Sequence, residues 1–442
     1  MAQVGKIIFD ASVLVTGYTS ASHHKTGLFR VSHELLKQLV KSNEYEIYLF
    51  DIFFREREVI KYVQSEFTGC SVIKGYSPLY RVLIFPVGNT IDSLRKIQDS
   101  SDNFIIRNFS KVLKNLMISF ERIARKIERV SSRRMSDCRI FEGCDLYYST
   151  YYPIPELIRN NTSIKKVYTL HDLIPIIHPE FFTGSFNTML VREVVDNIRN
   201  DDFVICVSNS TKRDLIFVRG DLDDSKIFVS HLAASSHFYP EKDKRKLLLV
   251  REKYKIPLEQ RYILSVCTFE PRKNLKTLIA AYNVLLNEDK DGDVLLVLAG
   301  APYWDKDPLL GEISRINNDY KNKIFITGFV PDEDLPLLYS GAYLFVYPSF
   351  YEGFGLPPLE AMKCGIPVIC SNTSSLPEVV GDGGILINPE STRELANAIH
   401  TLLIDQDLHD TLSVKASSNA SSFSWERSSE ILFGLFKLAQ TL

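Results

Sequence analysis

From residue 261 onward the chain alternates short apolar runs rich in β-formers with stretches of helical period: "YILSV", "NLKTLIAAYNVLL", "VLLVLAG", "DPLLGEISRI", "IFITGF", "PDEDLPLLYSG" and "YLFVYPS". It continues through "PVICS", "GILIN" and "STRELANAIHTLL". Such alternation predicts βαβ units and a parallel sheet covered by helices. The first half repeats the pattern at wider spacing, through "KIIFDAS", "GLFRVSHELLKQLV", "EIYLFD", "DLYYST", "KKVYTLHDL", "FVICVS", "STKRDLIFV" and "KIFVSHLA". At 442 residues the chain is too long for one compact core. An α/β protein of two doubly wound, Rossmann-like domains is expected. The charged, aperiodic stretch "SSHFYPEKDKRK", Ser235 to Lys246, suits a linker. The expected division is therefore 1–238, 239–422 and a C-terminal helix over 423–442, whose apolar stripe is expected to pack back onto the first domain.

Composition narrows the class of partner. A net charge of −2 with 45% hydrophobic residues describes a globular chain with no overall attraction to polyanions, so nucleic acid is not the expected partner. The seven cysteines are odd in number, scattered and without a C-x-x-C pair, so neither a disulfide framework nor a zinc site is indicated. A reducing, cytoplasmic compartment is expected. No apolar run approaches the roughly 18 residues needed to span a bilayer, and Asp10 falls where a signal peptide would still be apolar.

One region breaks the alternation. Between Ile105 and Arg139 ten Lys and Arg residues face only Glu121, Glu128 and Asp137, while Val112, Leu116, Phe120, Ile123, Ile127 and Val130 recur at spacings of three and four. This reads either as an amphipathic basic helix lying on an anionic membrane surface or as a core-facing helix with a solvated basic side.

In "YLFVYPSFYEGFGLPPLEAMKCGIPV" a buried strand runs into a loop, and a helix is expected to start near Pro357 or Pro358 and stop at Gly365. Gly353, Phe354 and Gly355 then fall at the carboxyl end of a parallel strand and before a helix N-terminus, where open α/β sheets bind ligands and free N–H groups favour phosphate. Glu360 is placed near the first turn, able to accept from sugar hydroxyls, and Glu352 faces whatever lies beyond the phosphate. The segment "SVCTFEPRKNLKTLI" brings Glu270, Arg272 and Lys273 to the same edge. An arginine fork beside a lysine point charge makes a diphosphate site there.

The Glu-x7-Glu motif in "EGFGLPPLE", together with "FEPRKN", "ITGFVPDEDLPLLYSGA", "HDLIP" and "SNTSSLPEVVGD", resembles the retaining glycosyltransferases of family 4, which have the GT-B architecture. The resemblance covers the second domain nearly end to end and the first more thinly. It implies a nucleotide-sugar transferase with the donor held by the C-terminal domain, the acceptor by the N-terminal one, and no essential metal or other cofactor. Carried over to this sequence, Glu360 would bind ribose hydroxyls and Glu352 the donor sugar near the reacting carbon. Arg272 and Lys273 would hold the diphosphate. Backbone groups of Phe354, Gly355 and Leu356 would line phosphates and sugar, and Thr327, Gly328, Phe329 and Val330 the base pocket. Gly27 of "TGLFRV" would lie close to the phosphates, and His171 of "HDL" would contact the donor sugar. Many members place another arginine where this chain has Cys267 and Thr268, which leaves Arg272 and Lys273 with more of the diphosphate charge.

The residue types suit that chemistry. Breaking a sugar–phosphate bond develops negative charge on the leaving diphosphate, which prepositioned cations and N–H dipoles stabilise. Retention is expected by front-face attack, with the leaving phosphate taking the acceptor's proton, rather than through a covalent intermediate on Glu352. His171 and His178, with no third ligand apparent, do not make a metal site. The motif set looks most like bacterial mannosyltransferases of polysaccharide assembly. It implies GDP-mannose as donor and a glycan or lipid-linked acceptor, reached at the inner face of the cytoplasmic membrane. A UDP-sugar-dependent transferase and a catalytically silent GT-B nucleotide- or glycan-binding protein are the alternatives. The sequence does not speak to oligomeric state.

Overall fold

The structure, a computed structural model, describes residues 5–19, 27–53, 55–67, 69–73, 141–182, 185–290, 293–300 and 308–441. The basic segment 105–139 lies outside the described residues, and so does the choice between its two readings. The chain divides into two compact units, Met1–Tyr168 with Phe436–Leu442, and Thr169–Leu435.

Within the first unit, β1 (Gly5–Asp10) lies between β2 (Tyr45–Phe50) and β4 (Leu146–Ser149), with β3 (Ser71–Val72) outside β2, and all the pairings are parallel. Ile7, Ile8 and Phe9 of β1 are fully buried, as expected of a strand covered on both faces. The helix Gly27–Ser42 buries Val31, Leu35 and Leu39, one residue every fourth position and hence one stripe. The last turns of the helix Trp425–Thr441 also belong to this unit, where the Phe436 ring meets Tyr45 and Tyr148 edge-on at 5.8 and 5.5 Å.

The strand order continues through β5 (Lys165–Leu170), β6 (Phe203–Cys206) and β7 (Ile227–Val229), giving a seven-stranded sheet β3-β2-β1-β4-β5-β6-β7. The second unit holds a six-stranded sheet of β8 (Tyr262–Val266), β9 (Leu295–Ala299), β10 (Ile324–Gly328), β11 (Leu344–Tyr347), β12 (Val368–Ser371) and β13 (Gly384–Ile387). Its order is β10-β9-β8-β11-β12-β13, again parallel throughout. From β8 the sheet grows outward to β10, and from β11 it grows the other way to β13. The direction therefore reverses between β8 and β11, and helices leave to opposite faces at that seam.

The helix Leu275–Asn287 covers one face through Leu278, Ile279, Tyr282 and Leu285, and the helix Thr392–Ile404 adds Leu395, Ile399 and Leu402 to the same cluster. The stretch Ser235–Lys246, expected to be a linker, is so only in part. Its last three residues open the helix Lys244–Lys253, which Asp243 caps by accepting the Arg245 N–H at 2.9 Å. Among the described residues no helix is long and apolar enough to cross a membrane.

Candidate active site

The reversal between β8 and β11 is where open α/β sheets bind ligands, and Arg272, Lys273 and Glu352 follow the carboxyl ends of these two strands. After β8 the chain makes one 3-10 turn, Pro271–Lys273, then passes through Asn274 at φ 55° into the helix Leu275–Asn287. Asparagine tolerates this left-handed backbone. Its Nδ2 donates to the carbonyls of Pro348 (3.0 Å) and Pro389 (2.7 Å), tying the turn to the loops after β11 and β13. Phe350 N–H donates to the Arg272 carbonyl at 2.9 Å. The Arg272–Lys273 turn and the Glu352 loop are therefore held as one body.

The charged groups meet inside this body. Glu352 Oε2 lies 2.6 Å from Arg272 Nη1, and Glu352 Oε1 accepts from Lys273 Nζ at 2.7 Å and from Ser349 Oγ at 2.6 Å. Lys273 also donates to the Tyr347 hydroxyl at 2.7 Å, and Arg272 Nη1 to the Tyr351 carbonyl at 2.7 Å. Burial works against charge on Glu352, but Arg272 and Lys273 beside it overcome this and hold its carboxyl at about 2. Burial pushes Asp172 up, against the pull of Arg272.

The depressed carboxyl has a stability consequence. A group whose folded value lies below its ordinary 4.5 adds stability that is present above 4.5 and lost as pH falls through about 2. The loss amounts to about 3 kcal/mol. Acid unfolding followed by circular dichroism should show it as a slope between these limits, shallower in Glu352→Gln. Equal slopes in the two proteins would show that Glu352 is not held by its cations.

The glycine loop is shaped by close approach. A Cβ on Gly353 would sit 2.2 Å from the His171 carbonyl oxygen, so only glycine lets the loop lie against that peptide. Gly355, at φ 124°, turns the chain into the helix Leu356–Lys363, which ends before Gly365 at φ 80°. The helix begins at Leu356, one residue earlier than expected, and Pro357 and Pro358 both fall in its first turn. Prolines carry no N–H, so the backbone donors here are fewer than an ordinary helix start provides. The Phe354 side chain is buried against His231 and Phe423, so only its backbone is free to meet a ligand. Glu360, the fifth residue of the helix, is buried and accepts from Tyr339 Oη at 3.1 Å.

Other expected residues fall as follows. His171 follows β5 directly, and its carbonyl also accepts from Thr211 Oγ1 at 3.3 Å. Thr327 and Gly328 end β10, with Gly328 at φ 71° accepting the Gly300 N–H at 3.0 Å; Phe329 is exposed and Val330 buried. Gly27 begins the helix Gly27–Ser42 in the first unit. His178 lies 3.0 Å from Glu180 and against the Tyr351 ring. Among the described residues no group of three His, Cys, Asp or Glu side chains is arranged to hold a metal ion. Cys267 follows β8, and burial pushes its thiol up to about 12.

Sequence reasoning missed the residues that hold the loop in place. Ser374, at φ 53°, accepts the Glu352 N–H on its hydroxyl at 2.9 Å, and Ser375 Oγ donates to the carbonyls of Glu352 (2.9 Å) and Phe354 (2.6 Å). Glu378 accepts the N–H groups of Asn209 (3.0 Å) and Ser210 (3.1 Å) at the start of the helix Asn209–Val218, and pairs with His231 at 3.1 Å. Ser208 Oγ, capping that helix, donates to the Gly353 carbonyl at 2.6 Å. The signal was present in "SNTSSLPEVVGD", whose serines and glutamate sit where a loop needs side-chain acceptors.

Two parallel, helix-covered sheets, with cations and a glycine loop meeting at the reversal of one of them, define the GT-B class of glycosyltransferases. Solved structures share this architecture. HepE of Anabaena, solved with UDP and glucose, matches with a TM-score of 0.62 at 17% identity over 98% of this chain and 99% of that one. A glycosyltransferase of Rickettsia africae matches with a TM-score of 0.64 at 19% identity over 98% of each. Residues 249–419 match the family of glycosyl transferases group 1. The chain is 34% identical over 293 residues to the O-antigen chain mannosyltransferase B of Escherichia coli, covering 66% of this chain and 74% of that protein. It is 31% identical over 307 residues to the serotype-specific mannosyltransferase WbdA of Escherichia coli, covering 68% of this chain but only 36% of that longer relative. The protein belongs to the glycosyl transferases group 1 family and is a glycosyltransferase.

Proposed function

We propose that this enzyme transfers mannose from GDP-mannose to a glycan or lipid-linked acceptor of polysaccharide assembly, with retention at the anomeric carbon and without an essential metal. The observation that carries the reading is the buried contact of Glu352 with both Arg272 and Lys273 beyond the ends of β8 and β11. Two fixed cations there supply the charge stabilisation that a leaving diphosphate needs. Two relatives named mannosyltransferases support the sugar, and the one named for the O-antigen chain supports the acceptor class.

A carboxyl held at about 2 is a weak base and a weak nucleophile at neutral pH. This supports a positional role for Glu352 and a front-face displacement. In that step the bond from the anomeric carbon to the phosphate oxygen breaks, the acceptor oxygen bonds to the same face of the carbon, and the acceptor's proton passes to the leaving phosphate. Glu360 and the stretch Thr327 to Val330 are the proposed ribose and base contacts, Gly27 a phosphate contact, and His171 a contact of the donor sugar.

The test is a panel of nucleotide sugars screened first for protection against thermal unfolding, then for transfer and hydrolysis with and without EDTA. GDP-mannose is expected to protect, to turn over in EDTA, and to give a product of unchanged anomeric configuration by NMR. Saturable binding of UDP-glucose but not of GDP-mannose would reverse the donor assignment. Strict dependence on added manganese would overturn the metal-independent mechanism.

A further inference from the structure

The contact of Glu352 with Arg272 and Lys273 does more than mark a site. The two cations and the carboxylate are each about nine-tenths buried, with side-chain exposures of 12, 11 and 10%. The carboxylate places one oxygen on each cation, at 2.6 and 2.7 Å, as two oxygens of a phosphate would. Ser349 and the backbone bond to Ser374 keep it there. Glu270 Oε2 also lies 3.6 Å from Arg272 Nη2 but is 31% exposed, so Glu352 is the buried carboxylate that offsets charge on both cations at once. Arg272 is not used up by this contact, since among the described residues its buried Nε has no hydrogen-bond partner.

We propose that Glu352 is a built-in counter-anion that competes with the diphosphate for Arg272 and Lys273, limiting how tightly the enzyme holds its nucleoside diphosphate product. This rests on the reading of Arg272 and Lys273 as the diphosphate site. Transfer turns an ester oxygen into a terminal one, and once the proton it takes from the acceptor is lost to solvent the bound diphosphate carries one more negative charge. A bare pair of buried cations would then hold product more tightly than donor, and turnover would stall on release. A fixed carboxylate between them lowers the attraction for every anion and lowers it most for the more highly charged one. Positional contact with the donor sugar and competition for the cations are separable, because only the second needs the negative charge on residue 352.

Inorganic pyrophosphate is the probe, since it carries neither base nor sugar and its binding does not depend on which donor the enzyme uses. Isothermal titration calorimetry at low salt would compare the full-length wild type with Glu352→Gln, Ser349→Ala and the double variant Glu352→Gln with Lys273→Ala. Glutamine keeps an oxygen for the cations and removes the charge. Glu352→Gln is expected to bind pyrophosphate at least about tenfold more tightly than wild type. Ser349→Ala, which removes the short bond to the carboxylate and the longer one to the Arg272 carbonyl at 3.1 Å, should bind about twofold more tightly, and the double variant should lose the gain. Should Glu352→Gln fail to fold by circular dichroism, Ser349→Ala decides, and unchanged affinity in it overturns the proposal. Equal or weaker binding by a folded Glu352→Gln overturns it while leaving the diphosphate site standing. Binding by no variant overturns the diphosphate site itself.

Discussion

Replacing either Arg272 or Lys273 by alanine is expected to slow turnover at least about a hundredfold, because losing one preorganised charge at a leaving group costs roughly 3 kcal/mol. The effect should appear in kcat more than in KM, since negative charge on the diphosphate grows as the sugar departs. Each substitution also leaves Glu352 with one cation instead of two, a buried carboxylate half-compensated. Some loss of thermal stability should therefore accompany the loss of rate. Steady-state rates with the donor found by the nucleotide-sugar panel, beside melting curves, separate the two. Near-wild-type kcat in both variants would remove Arg272 and Lys273 from the reaction.

Gly353→Ala should also be damaging, without touching a charge. The added methyl would stand 2.2 Å from the His171 carbonyl oxygen and 2.8 Å from Asp172 Cβ, so backbone has to move. Overpacking of this kind costs about 1–3 kcal/mol, and the movement falls on the neighbour of Glu352. A lowered melting temperature and a turnover reduced at least about tenfold are expected. Gly434→Ala is the matched control. It lies in the helix Trp425–Thr441, nothing lies within 4 Å of its added methyl, and alanine there should stabilise by about 1 kcal/mol. Full activity in Gly353→Ala would mean that the loop does not need its contact with the His171 peptide.

Much of the architecture was legible because its signals are local. Apolar runs such as "VLLVLAG" and "YLFVYPS" carry no polar alternation, which marks strands buried on both faces, and each became a strand of the six-stranded sheet. Gly365 ends its helix in the left-handed region that glycine adopts freely. The two prolines after Leu356 were equally plain, and what they imply, fewer backbone donors at that helix start, follows from their chemistry alone. Arg272, Lys273, Glu352 and Glu360 could be picked out by residue type and spacing.

What those residues do to one another was not legible. Lys273 and Glu352 are 79 positions apart, and Asn209 and Glu378 are 169 apart. No periodicity or spacing says that a carboxylate expected to face a sugar also binds the cations expected to face a phosphate. Nor does any say that a glutamate in "SSLPEVV" holds the first turn of a distant helix. The sequence by itself determined the strands, the helices and the identities of the charged groups, since these depend on side chains and backbone propensities within a few residues. The tertiary structure alone decided that β8 and β11 are neighbours where the sheet reverses, and hence that a cation pair and a carboxylate meet in one buried cluster. Strand order is chosen by the packing of all the layers together, and that free energy is not carried by any one stretch of the chain.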